Sequence, residues 1–402
     1  MRTKSKTKKI FLFLVLFFLI FFLCLGGYLF LKEYLPGKVS LQTLAEEITS
    51  KCQTQKDRPS CYDKEIPLLM DPPYSLSMEE AFNLTHLIQN KDDKYVYCHV
   101  LGHELASREV TKNPSSWTSI IPRCPTGVCS NGCIHGALTE KFRYKPLNSD
   151  EVEQIKPKLK SICHLREDWQ PTQSEQNACH HALGHLFMYL TNADIPKAVN
   201  LCSEISVSKS GEPAFNMCLH GVFMQIFQPL KDDDIYLVQK LALSKNTAYD
   251  FCSQFSENAK SICWMEAWSL WIKELRNPSG LTAFCSKLGN SYIKECYLSF
   301  FYLMPIQLKF DTNNMLQYCN SVPEELKGEC AGLVALRLVS TTNIDRALNF
   351  CASSSFFDNK QKCYEMLTQN ALFYYQRNTE EFNQICQNLP ENWKEKCLNS
   401  ES

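Results

Sequence analysis

The chain has 402 residues, 45% of them hydrophobic, and a net charge of −1, which is long enough to bury a sizeable core. Beyond its first nine residues it carries no block of Lys and Arg, so an electrostatic footprint for nucleic acid is excluded. With 21 cysteines and 14 glycines the composition is that of an exported, disulfide-stapled helical protein rather than a cytosolic one.

Residues 1–9 hold Arg2, Lys4, Lys6, Lys8 and Lys9 and no acid, and the 22 residues from Ile10 to Leu31 carry no charge. As a helix that run is roughly 33 Å long, enough to cross a bilayer core. The basic flank predicts a cytoplasmic N-terminus, a single-pass signal anchor at 10–31, and an ectodomain in the periplasm or the extracellular or lumenal space. A cleaved signal peptide would have a shorter apolar run ending in small residues, whereas this one ends Tyr28-Leu29-Phe30-Leu31. Leu23 before Cys24 is likewise not the small residue of a lipoprotein attachment site.

Apart from Cys24, the cysteines number 20 and fall into pairs. Cys52/Cys61 defines a membrane-proximal helix hairpin at 32–76. In the C-terminal part, 230–402, the pairs are Cys252/Cys263, Cys285/Cys296, Cys319/Cys330, Cys351/Cys363 and Cys386/Cys397, each 11 or 12 positions apart. Their first members recur at steps of 33, 34, 32 and 35, the size of one helix–turn–helix unit. The first cysteine of a pair ends an amphipathic stretch and the second opens another, so each bridge closes the turn between antiparallel helices. Cys124/Cys133, Cys163/Cys179 and Cys202/Cys218 extend the pattern backwards, leaving Cys98 and Cys129 to join neighbouring hairpins. The fold expected is all-α: a transmembrane helix followed by a solenoid-like array of stapled hairpins. In period and architecture it resembles helical-hairpin solenoids of the tetratricopeptide size class, but without that family's Trp, Gly and Tyr signature, so no functional residue carries over.

All nine histidines lie between His86 and His220. Cys98-His99-Val100-Leu101-Gly102-His103 parallels His180-His181-Ala182-Leu183-Gly184-His185 at an offset of 82, and Cys133-Ile134-His135-Gly136 parallels Cys218-Leu219-His220-Gly221 at 85. A two-hairpin block spanning 77–229 reads as duplicated. Helices are expected over 92–111 and 174–191, where histidines four apart project from one face and can grip one transition-metal ion. A third ligand from the adjacent hairpin completes two expected sites, one of His99, His103 and His135, the other of His181, His185 and His220. Three imidazoles suit Zn, Cu or non-haem Fe; non-covalent haem between paired helices is a further option. Cys129-Ser130-Asn131-Gly132-Cys133-Ile134-His135 is not a covalent haem motif, because Ile134 separates Cys133 from the histidine. Gly102, Gly136, Gly184 and Gly221 beside the ligands imply close approach of another helix or a cofactor, since glycine costs about 1 kcal/mol in a helix relative to alanine.

Glu104 and Glu140 flank the first histidine set, with Leu186 and Gln225 at the matching positions of the second. They are the candidate acid–base residues, making the first copy the better candidate for catalysis. His86 and His164 have no counterpart and read as structural, and Trp264, Trp268 and Trp271 read as a core stripe. Two functions remain: an extracytoplasmic transition-metal protein, with or without enzymatic chemistry, or a structural or protein-interaction scaffold of stapled repeats whose histidines are packing residues and whose C-terminal repeats can dock a protein or peptide.

Overall fold

A computed structural model describes residues 39–400 except 144–145, 207–211, 242 and 355–356. The expected anchor at 10–31 lies outside the described residues; among those described, no helix is long and apolar enough to cross a membrane. The described residues form helices and turns without a strand, apart from an isolated bridge between Arg166 and Trp169.

The N-terminal part comprises α1 (Leu41–Gln53), α2 (Arg58–Leu68), α3 (Met78–Lys91), α4 (His99–Lys112), α5 (Gly132–Thr139), α6 (Ser149–Ile162), α7 (Gln173–Leu190), α8 (Ile195–Ile205) and α9 (Glu212–Phe227). It continues with α10 (Glu257–Glu266), α11 (Pro278–Cys285), α12 (Asn290–Gln307), α13 (Thr312–Asn320), α14 (Lys327–Val339), α15 (Ile344–Ser353), α16 (Phe357–Tyr374), α17 (Glu380–Gln387) and α18 (Glu391–Leu398), with shorter helices of one or two turns in several connections. Starts are written locally. Ser77 with Glu80, Asn148 with Glu151 and Thr172 with Glu175 make capping boxes that satisfy the free N–H groups opening α3, α6 and α7. The helix expected from Asp92 begins instead at His99, because the Asp92 carboxylate is drawn off to Tyr62 and Arg58.

Ten disulfides form in the expected pairing, nine within hairpins and Cys98–Cys129 between elements. Their Cα atoms are 4.7–5.7 Å apart, ordinary for a bridge. Trp264 is buried and stacks on Phe284 at 4.7 Å with Trp271 against both, so the tryptophan stripe is hairpin core.

The second helix of each hairpin packs on that of the next: α7 on α5, α9 on α7, α10 on α9, α14 on α12 and α16 on α14. The row then coils back on itself, and α16 reaches α7. At this closure Phe310 meets the Tyr97 ring at 6.3 Å, Arg346 donates to the Asp93 carbonyl at 3.2 Å, and Tyr375 packs on Gly127. The C-terminal repeats therefore form one wall around the histidine-bearing helices.

Candidate metal centre

Five imidazoles meet where α4, α5 and α7 cross. Backbone contact makes this possible. A Cβ on Gly132 would collide with the His99 carbonyl oxygen, and one on Gly136 with that of His103; a Cβ on Gly221 would collide with the His181 carbonyl, and one on Gly184 with that of Cys218. The glycines thus face the histidine turns of the neighbouring helix, which settles their expected role as helix-approach positions. With α4 against α5 and α7 against α9 at this distance, short imidazole side chains span the remaining gap.

Two triads result: His99, His103 and His135, and His135, His181 and His185, with potential ligand atoms within 4.8 Å of one another in each. The His99 and His103 Nε2 atoms are 3.1 Å apart, and those of His181 and His185 are 3.0 Å apart. His135 lies 4.9 Å from the His99 and His103 rings and 5.1 and 5.6 Å from the His181 and His185 rings, centroid to centroid. A tetrahedral ion with nitrogens at about 2.0–2.1 Å places two of them about 3.3 Å apart and their ring centroids about 5 Å apart. The spacing matches, and it leaves no room for a porphyrin plane between the rings.

Outer contacts orient the ligands. His99 Nδ1 is 3.2 Å from the Cys129 carbonyl and His185 Nδ1 is 2.6 Å from Gln225 Oε1, so each donates a proton there and turns an unprotonated Nε2 inward. The Cys129 carbonyl is aimed by three successive residues in the left-handed region, Cys129, Ser130 and Asn131, with φ of 50°, 50° and 60°. This turn is tied down by Cys98–Cys129 and Cys124–Cys133, by the Gly127 N–H donating to Asn131 Oδ1, and by Asn131 Nδ2 donating to Ser174 at the start of α7. Among the described residues, buried His135 Nδ1 has no hydrogen-bond partner.

The expected division into two separate sites is not what the geometry shows. His135 belongs to both groups and joins them. His220 stands outside both, its Nδ1 on Glu266 at 2.6 Å, because Glu266 on α10 draws it away. Glu104 is held by Arg108 at 3.1 Å and Lys231 at 2.8 Å, and Glu140 by Arg143 at 3.2 Å. Gln225, at the position matching Glu140, is the residue that reaches a ligand imidazole. The cysteines Cys98, Cys133, Cys179 and Cys218 are all disulfide-bonded, which removes thiolate ligation. His180 and His164 sit apart from the cluster with rings 6.5 Å from each other. A cavity of about 20 Å³ lined by His103, His185, Tyr189, Gln225, Lys231 and Asp234 adjoins the cluster, room for a water molecule and not for an organic substrate.

Electrostatics keeps the imidazoles uncharged. Burial, with the nearby Arg337 charge, pushes His99 down to about 4. Burial also lowers His103, His135, His181 and His185, and neighbouring histidines add to the effect at the first three. All five therefore offer lone pairs at neutral pH. For Glu104, burial opposes ionisation but Lys231 and Arg108 outweigh it and hold the carboxyl below its usual value. A depressed histidine pKa means that the unfolded chain binds protons the folded chain refuses, so stability is intact above about pH 6.5 and declines as pH falls toward the folded value. For His99 the decline reaches roughly 3 kcal/mol below about pH 4. In chelator-treated protein the denaturant midpoint should drop between pH 6.5 and 5, with a shallower drop in His99→Gln. Parallel slopes for the two would contradict this.

No family model, characterised protein or solved structure matches the chain, so the site's own geometry carries the functional reading.

Proposed function

We propose that this is a membrane-anchored, extracytoplasmic transition-metal protein whose ions are held by His99, His103, His135, His181 and His185 as one joined centre. One observation supports it above the others: five imidazoles, four of them buried and His181 half-buried, kept neutral, converge from three helices at ligand spacing. Packing alone rarely gathers histidines this way, because each buried ring must find hydrogen-bond partners and these rings face one another. The ten disulfides support an oxidising compartment, and the basic flank and apolar run at 1–31 are the feature that supports the anchor.

The donor set narrows the metal. Neither triad contains a carboxylate or thiolate, which disfavours Mg, Ca and Mn and leaves Cu, Zn or non-haem Fe. Neutral ligands in a buried site compensate no ion charge, so monovalent copper suits it best, or a divalent ion that brings an anion with it. Glu104 and Glu140 act in this reading through Lys231 and Arg143 at the small cavity, as partners of its cations rather than as proton donors. A protein or peptide partner, where one is used, docks on the outer faces of the C-terminal repeats.

Elemental analysis of the full chain purified in mild detergent tests the proposal. At least one equivalent of Cu, Zn or Fe per chain is expected after loading and desalting. A folded, disulfide-intact chain that takes up none of the three would leave the histidines as packing residues.

A further inference from the structure

Among the described residues, Arg337 on α14 is a charged side chain that the C-terminal wall pushes into this interior without an acid to meet it. It is 7% exposed. Its guanidinium carbon lies over the Tyr97 ring at 5.3 Å and over the Tyr302 ring at 4.8 Å. Among the described residues no carboxylate pairs with it, and its Nε has no hydrogen-bond partner. Tyr97 in turn stacks on the ligand His99, the two rings 5.9 Å apart, so the guanidinium is separated from the metal centre by a single aromatic ring.

Two physical costs coincide here. A buried guanidinium that meets no carboxylate is disfavoured, because the two aromatic rings and the Tyr302 hydroxyl replace only part of its lost hydration. An ion on five neutral imidazoles adds more positive charge to the same interior. Burial works against the charge on Arg337, but the Tyr302 and Tyr97 phenols offset it and keep the group protonated. Aromatic faces compensate only the flat sides of a guanidinium; its in-plane N–H fork is the part that recognises a planar carboxylate in two-point fashion.

We propose that Arg337 anchors an anion site: its fork, positioned by Tyr97 and Tyr302, takes the carboxylate of a small ligand and sets it beside the His99 edge of the histidine centre. Carboxylate binding by Arg337 stands on its own residues; a role for that ligand at the metal rests on the reading proposed above. The site also explains why the array closes into a coil, since closure is what carries Arg337 and Tyr302 to Tyr97.

The test uses the full chain in detergent, stripped of metal, titrated with sodium acetate against sodium chloride at matched ionic strength. The readouts are the denaturant midpoint and the near-ultraviolet tyrosine spectrum, which reports Tyr97 and Tyr302. Acetate should give a saturable change in both that chloride does not. Arg337→Lys, which keeps charge but loses the fork, should weaken acetate about 10–100-fold, the worth of a charge-assisted hydrogen bond. Arg337→Met should abolish the response while staying folded, because it removes an unpaired buried charge. An acetate response equal to that of chloride, or one retained in Arg337→Met, overturns the site; sulfate saturating at lower concentration than acetate overturns its carboxylate assignment. Acetate binding by a chain that takes up no metal would leave this site standing and sink the metal centre instead.

Discussion

His135→Ala is expected to empty the whole centre. The His135 ring is the ligand common to both triads, so its loss leaves two imidazoles on each side. Affinity should fall by more than the roughly 10–100-fold typical of losing an outer-shell partner, and dialysis should then remove nearly all bound metal. His103→Ala distinguishes the ways the centre can be filled. With an ion in each triad, which would require His135 to bridge them as an imidazolate through both ring nitrogens, it should release about half the metal; with one shared ion it should release all of it. His220→Ala, outside both triads and bonded to Glu266, should retain full loading. An His135→Ala chain that is folded and still holds half or more of the wild-type metal would contradict the joined centre and return the two copies to independence.

Gly136→Ala should be among the most damaging single-methyl changes available in this chain. In isolation the substitution favours a helix by about 1 kcal/mol. Here the added Cβ lands on the His103 carbonyl oxygen and backbone of α4, and a helix backbone cannot rotate aside as a flexible side chain can. Overpacking of a core costs about 1–3 kcal/mol, and a rigid backbone obstacle puts this case at the top of that range or beyond, for a net loss of about 2 kcal/mol or more. Gly221→Ala, aimed at the His181 carbonyl, should behave the same way. Gly102 offers a graded comparison, because its Cβ would sit 3.0 Å from Cys133 N, tight but within reach of a small shift. Denaturant midpoints should rank Gly102→Ala above Gly136→Ala, and metal affinity should fall with the latter as α4 and α5 separate. A Gly136→Ala variant as stable as wild type would show that the helices do not depend on that contact.

Much of this was legible in the chain because it is local. A cysteine 11 residues from its partner can close only the turn between two helices, so the spacing dictates both the hairpin and its bridge. Histidines four apart share a helix face whatever the helix packs against, and Ser77 with Glu80 or Thr172 with Glu175 announces a helix start within four residues. The duplicated motifs likewise placed glycine beside histidine in both copies, which is how the close helix approach could be anticipated.

What the duplication could not reveal is that its copies are unequal and joined. Sequence symmetry assigned His135 to the first set and His220 to the second, but a ligand set is decided by distance. The crossing of α5 over α7 brings His135 within reach of both pairs, while Glu266, 46 residues beyond His220, holds that ring elsewhere. Gln225 had no distinguishing neighbour in the chain, since its partner His185 is 40 residues away. Arg337 was the hardest to see, because it lies on a C-terminal repeat with no histidine near it in sequence, and only the coiling of the array sets it against Tyr97. The sequence by itself determined the helices, their staples and the two histidine pairs, because these depend on contacts within about one hairpin. The tertiary structure decided which histidine is shared, which carboxylates are taken up in ion pairs and which cation faces the centre, because those depend on side chains brought together by closure of the whole array.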